Sequence, residues 1–262
     1  MIRSDFHMHT KYCDGKFTAE EMIQSAIDRG LTIVGLSGHG YTAFDGHYCM
    51  TQENTVKYRD EVNALKGKYA DRIRVLCGVE QDYFGGKPIA DFDYVIGSCH
   101  YLHWGDDRYT PIDEHIEQLM GGVRDGFGGD FYAACESYFA CMGDVVRATG
   151  ADIIGHFDLI SKFCEVGVDL DITNPRYRRA YTDAIDRLIP LGKPFEVNTG
   201  AISRGYRTSP YPPMPMMRYI ASQGGSIIFT SDSHHVDNIA FRFDEWEPVY
   251  RAFGTKVYDC PI

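Results

Sequence analysis

The sequence predicts an α/β fold: a parallel barrel of strand–helix repeats in a single domain over residues 1–262. Three observations predict it. Seven short, mostly β-branched apolar runs lie at residues 2–7, 32–37, 74–79, 94–99, 153–156, 194–198 and 226–230. Stretches of helical period separate them. No low-complexity segment or linker interrupts the alternation, and evenly spaced repeats favour closure of the sheet into a barrel.

Taken in order, residues 2–7 form the first strand. Thr18-Ala19-Glu20-Glu21 is a capping box ahead of Met22, Ile23, Ala26 and Ile27, and Arg29-Gly30 ends that helix. Further helices are expected over 52–68, 113–125, 131–149, 175–188, 214–222 and 236–252. In the 131–149 stretch, Tyr132, Cys135, Tyr138, Phe139 and Met142 make an apolar stripe for packing on the sheet, not a cofactor box. Leu191-Gly192-Lys193-Pro194 and Gln223-Gly224-Gly225 read as turns from helix to strand.

Composition narrows the function. The chain has 26 Lys plus Arg against 37 Asp plus Glu, a net charge of −11. That balance disfavours nucleic-acid backbones and anionic membrane surfaces, whereas a local metal cluster can still attract a small anion. No apolar run has the length of a signal peptide or a membrane span. The eight cysteines are scattered, with no C-x-x-C pair, and read as reduced thiols in a cytoplasmic protein.

Barrel enzymes place their chemistry at the C-terminal ends of strands, and polar residues cluster there in this chain. His7, His9 and then Asp14 follow the first run, and His39 follows the second. Glu80 and His100 end the third and fourth. His156 and Asp158 follow the fifth, Asn198 ends the sixth, and Asp232 and His234 follow the seventh. Any one of these has an ordinary structural reading: a hydrogen-bonded histidine, a turn aspartate, a salt-bridge glutamate. Their recurrence at one structural address is what points to a site. Imidazole with carboxylate suits zinc, iron(II) or manganese(II), and the number of ligands exceeds the needs of one tetrahedral ion. Two or three divalent ions, with a carboxylate bridging two of them, would account for the set.

The segments DFHMHT, GLSGHG, CGVEQD, IGSCHYL, IIGHFDLI and FTSDSHH, in this order, resemble the PHP (polymerase and histidinol phosphatase) family over nearly the whole chain. The resemblance implies a distorted (β/α)7 TIM-like barrel with a two- or three-metal site at its C-terminal face. It implies His7, His9, Glu80 and Asp232 as ligands of one ion. Glu80, bridging, joins His100 and His156 on a second, and Asp14, His39 and His234 hold a third. Some family members have His at the position of Asp14, and Asp at that of Gly38. The stretch FEVNTGAISRGYRTSPYP, the segment GHFDLISKF and the lid-like HYLHWGDD resemble the histidinol-phosphate phosphatase branch.

That branch implies hydrolysis of a small phosphorylated substrate, L-histidinol phosphate, by a metal-activated hydroxide. Arg204, Lys162 and Asn198 would contact substrate, and Arg204 would also stabilise charge on the phosphoryl oxygens. Asp232 or His234 would donate the proton to the leaving group, and Asp158 would orient a ligand histidine. Competing readings are a family phosphoesterase acting on a nucleotide or cyclic phosphate, an amidohydrolase with no need of Arg204 or Lys162, and a non-catalytic metal-binding module.

Overall fold

The structure, a computed structural model, describes residues 2–262. In chain order the elements are β1 (Ser4–Asp5), α1 (Ala19–Asp28), β2 (Ile33–Leu36), α2 (Gln52–Lys68), β3 (Arg74–Asp82) and β4 (Tyr94–Ser98). A hairpin of β5 (Tyr101–Trp104) and β6 (Arg108–Pro111) follows, then α3 (Ile116–Phe127), α4 (Phe131–Met142) and α5 (Val145–Thr149). The chain continues through β7 (Ile153–Ile154), α6 (Pro175–Leu188), β8 (Phe195–Asn198), α7 (Gly200–Ser203) and α8 (Met214–Ser222). It ends with β9 (Ser226–Thr230), α9 (Phe243–Arg251) and β10 (Lys256–Tyr258).

Eight of these strands form one parallel curled sheet in the order β1-β2-β3-β4-β7-β8-β9-β10. The sequence pattern anticipates seven of them. The eighth, β10, is short and charged, and it pairs only with the lower half of β9, Lys256 opposite Ser226 through Tyr258 opposite Ile228. Above that point the same edge of β9 is continued by Ser233, which bridges Met8. His9 N–H donates to Ser233 O (2.8 Å) and Ser233 N–H to His7 O (3.0 Å). The buried Asp5 carboxylate staples this seam by accepting from Ser231 N–H (3.0 Å) and Ala240 N–H (2.9 Å).

Phe6, Leu76, Tyr94, Ile96, Ile153 and Ile228 fill the inside of the curl. Tyr94 is its largest plug, and its hydroxyl donates to Phe6 O at 2.5 Å. Gly35 and Gly78 leave it room, since a β-carbon at either would collide with the tyrosine ring. Two larger apolar layers seal the outside, one under α1 and α2 and one under α3, α4, α6 and α8.

Five elements depart from expectation. The 131–149 helix divides at Gly143-Asp144 into α4 and α5. The 113–125 helix starts later, at Ile116, because residues 101–111 turn back as the β5–β6 hairpin through Gly105 and Asp107, both at positive φ. The 236–252 helix survives only as a 3₁₀ turn (Val236–Asn238) and α9, because Ala240 and Arg242 adopt left-handed backbone between them. β1 and β7 are two residues each, shorter than their apolar runs.

Candidate metal centre

Parallel pairing puts every strand's C-terminal end on one rim, and the predicted ligands meet there at the bottom of a cavity of about 490 Å³. Glu80 lies at the centre and is 1% exposed. Its two oxygens face different partners. Oε2 lies 3.1 Å from His7 Nε2, 3.6 Å from His9 Nε2 and 2.9 Å from His39 Nδ1. Oε1 lies 2.8 Å from His156 Nε2 and 3.2 Å from His100 Nε2. Asp232 Oδ1 completes the first group, 3.2 Å from His9 Nε2 and 3.7 Å from His7 Nε2. A third group forms where Asp14 meets His234 Nε2 (3.0 Å) and His39 Nε2 (3.7 Å).

All nine sequence-predicted ligands are therefore brought together. His39 differs from expectation in standing between two groups, its Nδ1 toward Glu80 and its Nε2 toward Asp14. His9 likewise turns Nδ1 toward Asp14, at 3.6 Å. The loop that brings Asp14 in needs Gly15, because a β-carbon there would strike the backbone of His9 and Thr10.

The donor set fits metal ions. His7 Nε2, His9 Nε2 and Glu80 Oε2 are buried and converge, yet none makes an aligned hydrogen bond. Orphaned buried polar atoms are costly, and a shared cation would satisfy all three at once. Proton placement agrees. His7 Nδ1 lies 2.5 Å from Glu196 Oε1, and an ionised carboxylate only accepts, so the proton sits on Nδ1 and the Nε2 lone pair faces the centre. Asp82 holds His100 in the same way, accepting from its backbone N–H (2.8 Å) and lying 3.2 Å from Nδ1. Ser98 Oγ donates to Glu80 Oε1 at 2.7 Å.

The electrostatics are those of a site built for cations. Burial pushes the Glu80 carboxyl up, but His7, His39 and His100 hold it well below the usual carboxylate range. Burial acts likewise on Asp232, where Arg204 and His7 prevail and keep it low. Burial, with His234 and His39 nearby, drives His9 down to about 3, so its ring is neutral and able to ligate.

Of the remaining predicted residues, Arg204 and Lys162 line the cavity. Arg204 donates from Nη2 to Asp232 Oδ2 (2.9 Å) and from Nη1 to Asp232 O (3.0 Å). Lys162 is 6% exposed, donates from Nζ to Asp113 O (2.5 Å) and sits over the Tyr206 ring. Two expectations need correction. Asn198 is fully buried, with its amide nitrogen donating to Glu196 Oε2 (3.0 Å) and its carbonyl accepting from Gly200 N–H (2.8 Å). Both ends are spent, so it braces Glu196 and does not reach substrate. Asp158 orients no histidine; it accepts from Tyr177 (2.5 Å) and Ser161 (2.7 Å) hydroxyls.

Glu196 and Asp82 are the functional residues that the strand-end pattern misses. Alternation along β8 gave a weak signal for Glu196, two positions before Asn198 and therefore on the same strand face. His47 and His115, away from strand ends in sequence, line the cavity, as do Tyr48 and Glu114. Tyr48 donates to the Tyr101 hydroxyl (2.5 Å), which donates to Asp45 (2.7 Å), and Phe44 stacks on Tyr109 with ring centroids 3.7 Å apart. The β2–α2 loop is thereby fastened to the β5–β6 hairpin beside the cavity.

The PHP domain family matches residues 5–200. A Deinococcus radiodurans protein described as a probable histidinol-phosphatase is 30% identical over 264 aligned residues, covering 96% of this chain and 94% of its own. The fold matches the Listeria monocytogenes hisK protein with a TM-score of 0.78 at 20% identity, covering 93% of this chain and 99% of that one. It also matches the Lactococcus lactis histidinol phosphate phosphatase, solved with zinc, L-histidinol and phosphate, with a TM-score of 0.71 at 20% identity, covering 97% of this chain and 95% of that one. The motifs, the curled parallel sheet and the matched length agree: this chain belongs to the PHP domain family.

Proposed function

We propose that the protein hydrolyses L-histidinol phosphate to L-histidinol and inorganic phosphate, using two or three divalent ions. The observation that carries the reading is the split environment of Glu80, one oxygen toward His7 and His9 and the other toward His100 and His156, beside two cavity-lining cations. His7, His9, Glu80 and Asp232 would hold one ion and Glu80, His100 and His156 a second. Asp14 and His234 would hold a third, with His39 shared between neighbouring positions. When bound, such ions polarise a phosphoryl oxygen and acidify a water to near neutrality.

The chain's own groups supply the rest. Glu196 and Asp82 fix the tautomers of His7 and His100 so that a lone pair faces inward. Arg204, braced by Asp232, and Lys162, braced by Asp113, present positive charge to the non-bridging oxygens. His234 lines the cavity on the Arg204 side, from where a proton can reach the leaving alkoxide, while Asp232, paired with Arg204, stays ionised. Glu114 lines the cavity with no ion pair among the described residues, a placement that suits the ammonium of histidinol and opposes a polyanionic nucleotide.

The test is phosphate release from the manganese- or zinc-loaded enzyme, comparing L-histidinol phosphate with nucleotide and sugar phosphates. A preference of roughly 100-fold in kcat/KM, about 2.7 kcal/mol, supports the assignment. Equal rates across the panel, or a nucleotide in front, would remove the substrate and leave the metal chemistry.

A further inference from the structure

Arg207 is a buried cation with no part in the chemistry above. Its side chain is 7% exposed and does not line the cavity. It lies on the β8–α8 loop, three residues beyond Arg204, and reaches across to the β7–α6 loop that carries Lys162. There its Nη1 donates to Ser161 O (3.2 Å) and Ser161 Oγ (2.6 Å), the residue next to Lys162. Ser161 Oγ passes the connection on by donating to Asp158 Oδ2 at 2.7 Å. The next residue, Thr208, donates its N–H to Glu165 Oε2 at 2.7 Å. Arg207 itself sits over Tyr211, with its guanidinium carbon 4.8 Å from the ring centroid. Tyr211 is anchored to the end of β8 by two backbone hydrogen bonds with Asn198, at 2.9 and 3.1 Å.

The two cations that face the cavity thus come from different loops. Arg204 is fixed to β9 through Asp232. Lys162 Nζ rests 4.8 Å above the ring of Tyr206, the residue before Arg207. Like charges facing one cavity repel, and the loops need a tie to hold both at the spacing of one tetrahedral anion. Arg207 is such a tie: its Nη1 contacts both a carbonyl and the hydroxyl of Ser161, its Nη2 lies 3.9 Å from Glu165 Oε1 on the same loop, and its guanidinium sits over an aromatic face.

We propose that Arg207 is a positioning residue that sets the distance between Lys162 and Arg204, and so the affinity of the cavity for a phosphoryl group. The inference rests on the phosphatase reading but not on the identity of the alcohol.

The experiment measures inorganic phosphate binding to metal-loaded protein by calorimetry, alongside kcat and KM, for wild type, Arg207→Met, Arg207→Lys, Lys162→Ala and the Arg207→Met/Lys162→Ala pair. Arg207→Met is expected to weaken phosphate binding and raise KM about tenfold, with Arg207→Lys only partly restoring either, because a single ammonium cannot meet Ser161 and Glu165 from separate nitrogens while covering the Tyr211 ring. The double variant is expected to bind phosphate no more weakly than Lys162→Ala alone, since the two act through one element. A merely structural role would lower the melting temperature and kcat, through a smaller active fraction, and leave phosphate affinity and KM unmoved; that result overturns the proposal. Should Arg207→Met fail to fold, Ser161→Ala removes the hydroxyl end of the same tie, and unchanged phosphate affinity there overturns it equally. Wild-type protein that binds no phosphate would remove the phosphatase reading together with this one, whereas normal wild-type binding unaltered by the variants removes this one alone.

Discussion

Replacing Glu196 by Gln changes one oxygen to nitrogen and keeps the side chain's shape. Three buried donors converge on this carboxylate: His7 Nδ1 and His156 N–H, each at 2.5 Å, and Asn198 Nδ2 at 3.0 Å. The residue is 0% exposed, so water cannot substitute for a lost partner. A carboxylate can accept from all three, but an amide has one oxygen. If that oxygen turns to His7, the amide nitrogen points at the donors of His156 and Asn198. If it turns to them, the nitrogen faces His7 Nδ1 and pushes the proton to Nε2, where the metal lone pair is needed. Either arrangement leaves a buried donor unsatisfied, at a cost of about 2 kcal/mol, or roughly 30-fold. The expected outcome is zinc affinity weakened by roughly that factor in chelator competition, within the 10–100-fold range of other changes to groups that orient metal ligands. A matching fall in kcat/KM should accompany it. Glu196→Gln protein that folds, binds zinc within twofold of wild type and turns over normally would refute the role of Glu196 as the group that sets the His7 tautomer.

Three further outcomes are expected. Glu114→Gln should raise KM for L-histidinol phosphate about fivefold, the worth of roughly 1 kcal/mol for a half-buried ion pair, and leave 4-nitrophenyl phosphate hydrolysis unchanged. Burial pushes Asp158 from 3.8 to about 6 against the opposing effect of Arg207, so its stabilising contribution is full below pH 4 and is lost as pH rises through 6. In Asp158→Asn the amide oxygen keeps one hydroxyl donor while the other hydroxyl reverses to accept from the amide nitrogen, and in urea melts of chelated protein the variant should gain roughly 1 kcal/mol on wild type between pH 5 and pH 7. Chelation should lower the melting temperature of wild type by an amount that grows with the metal concentration previously present, as mass action requires; an unmoved midpoint would mean the ions bind folded and unfolded chains alike.

Much of the site was legible because a parallel sheet aligns all its strand ends on one rim. Once residues 2–7, 74–79 and 226–230 are strands, His7, Glu80 and Asp232 must share a neighbourhood. The sheet's eighth strand was not legible, because Lys256-Val257-Tyr258 is too short and charged to show apolar alternation. The division of residues 236–252 turns on left-handed backbone at Ala240 and Arg242, which no periodicity reports. Glu196 stood in the branch-like FEVNTG stretch without a role and Asp82 gave no signal, because their roles depend on which histidine nitrogen they meet, and His7 and Glu196 are 189 positions apart. Asn198 was misread because its position at a strand end is shared with residues that face the cavity, while its two amide ends are both used internally.

The seam between the first and last parts of the sheet has a consequence for how the protein is made. His7 and His9 lie on one side of it and Asp232 and His234 on the other, and Asp5 is stapled to Ser231 across 226 positions of sequence. On the ribosome, His7 and His9 emerge well before Asp232 and His234, with most of the sheet between them. Until the last strands of the sheet have been made, His7 and His9 can meet Asp14 and Glu80 but not Asp232. Once the seam shuts, an ion shared by His9 and Asp232 would tie the first strand of the sheet to the segment that follows β9, as a cross-link would. Metal capture by the complete group would therefore follow closure of the curl and hold it shut.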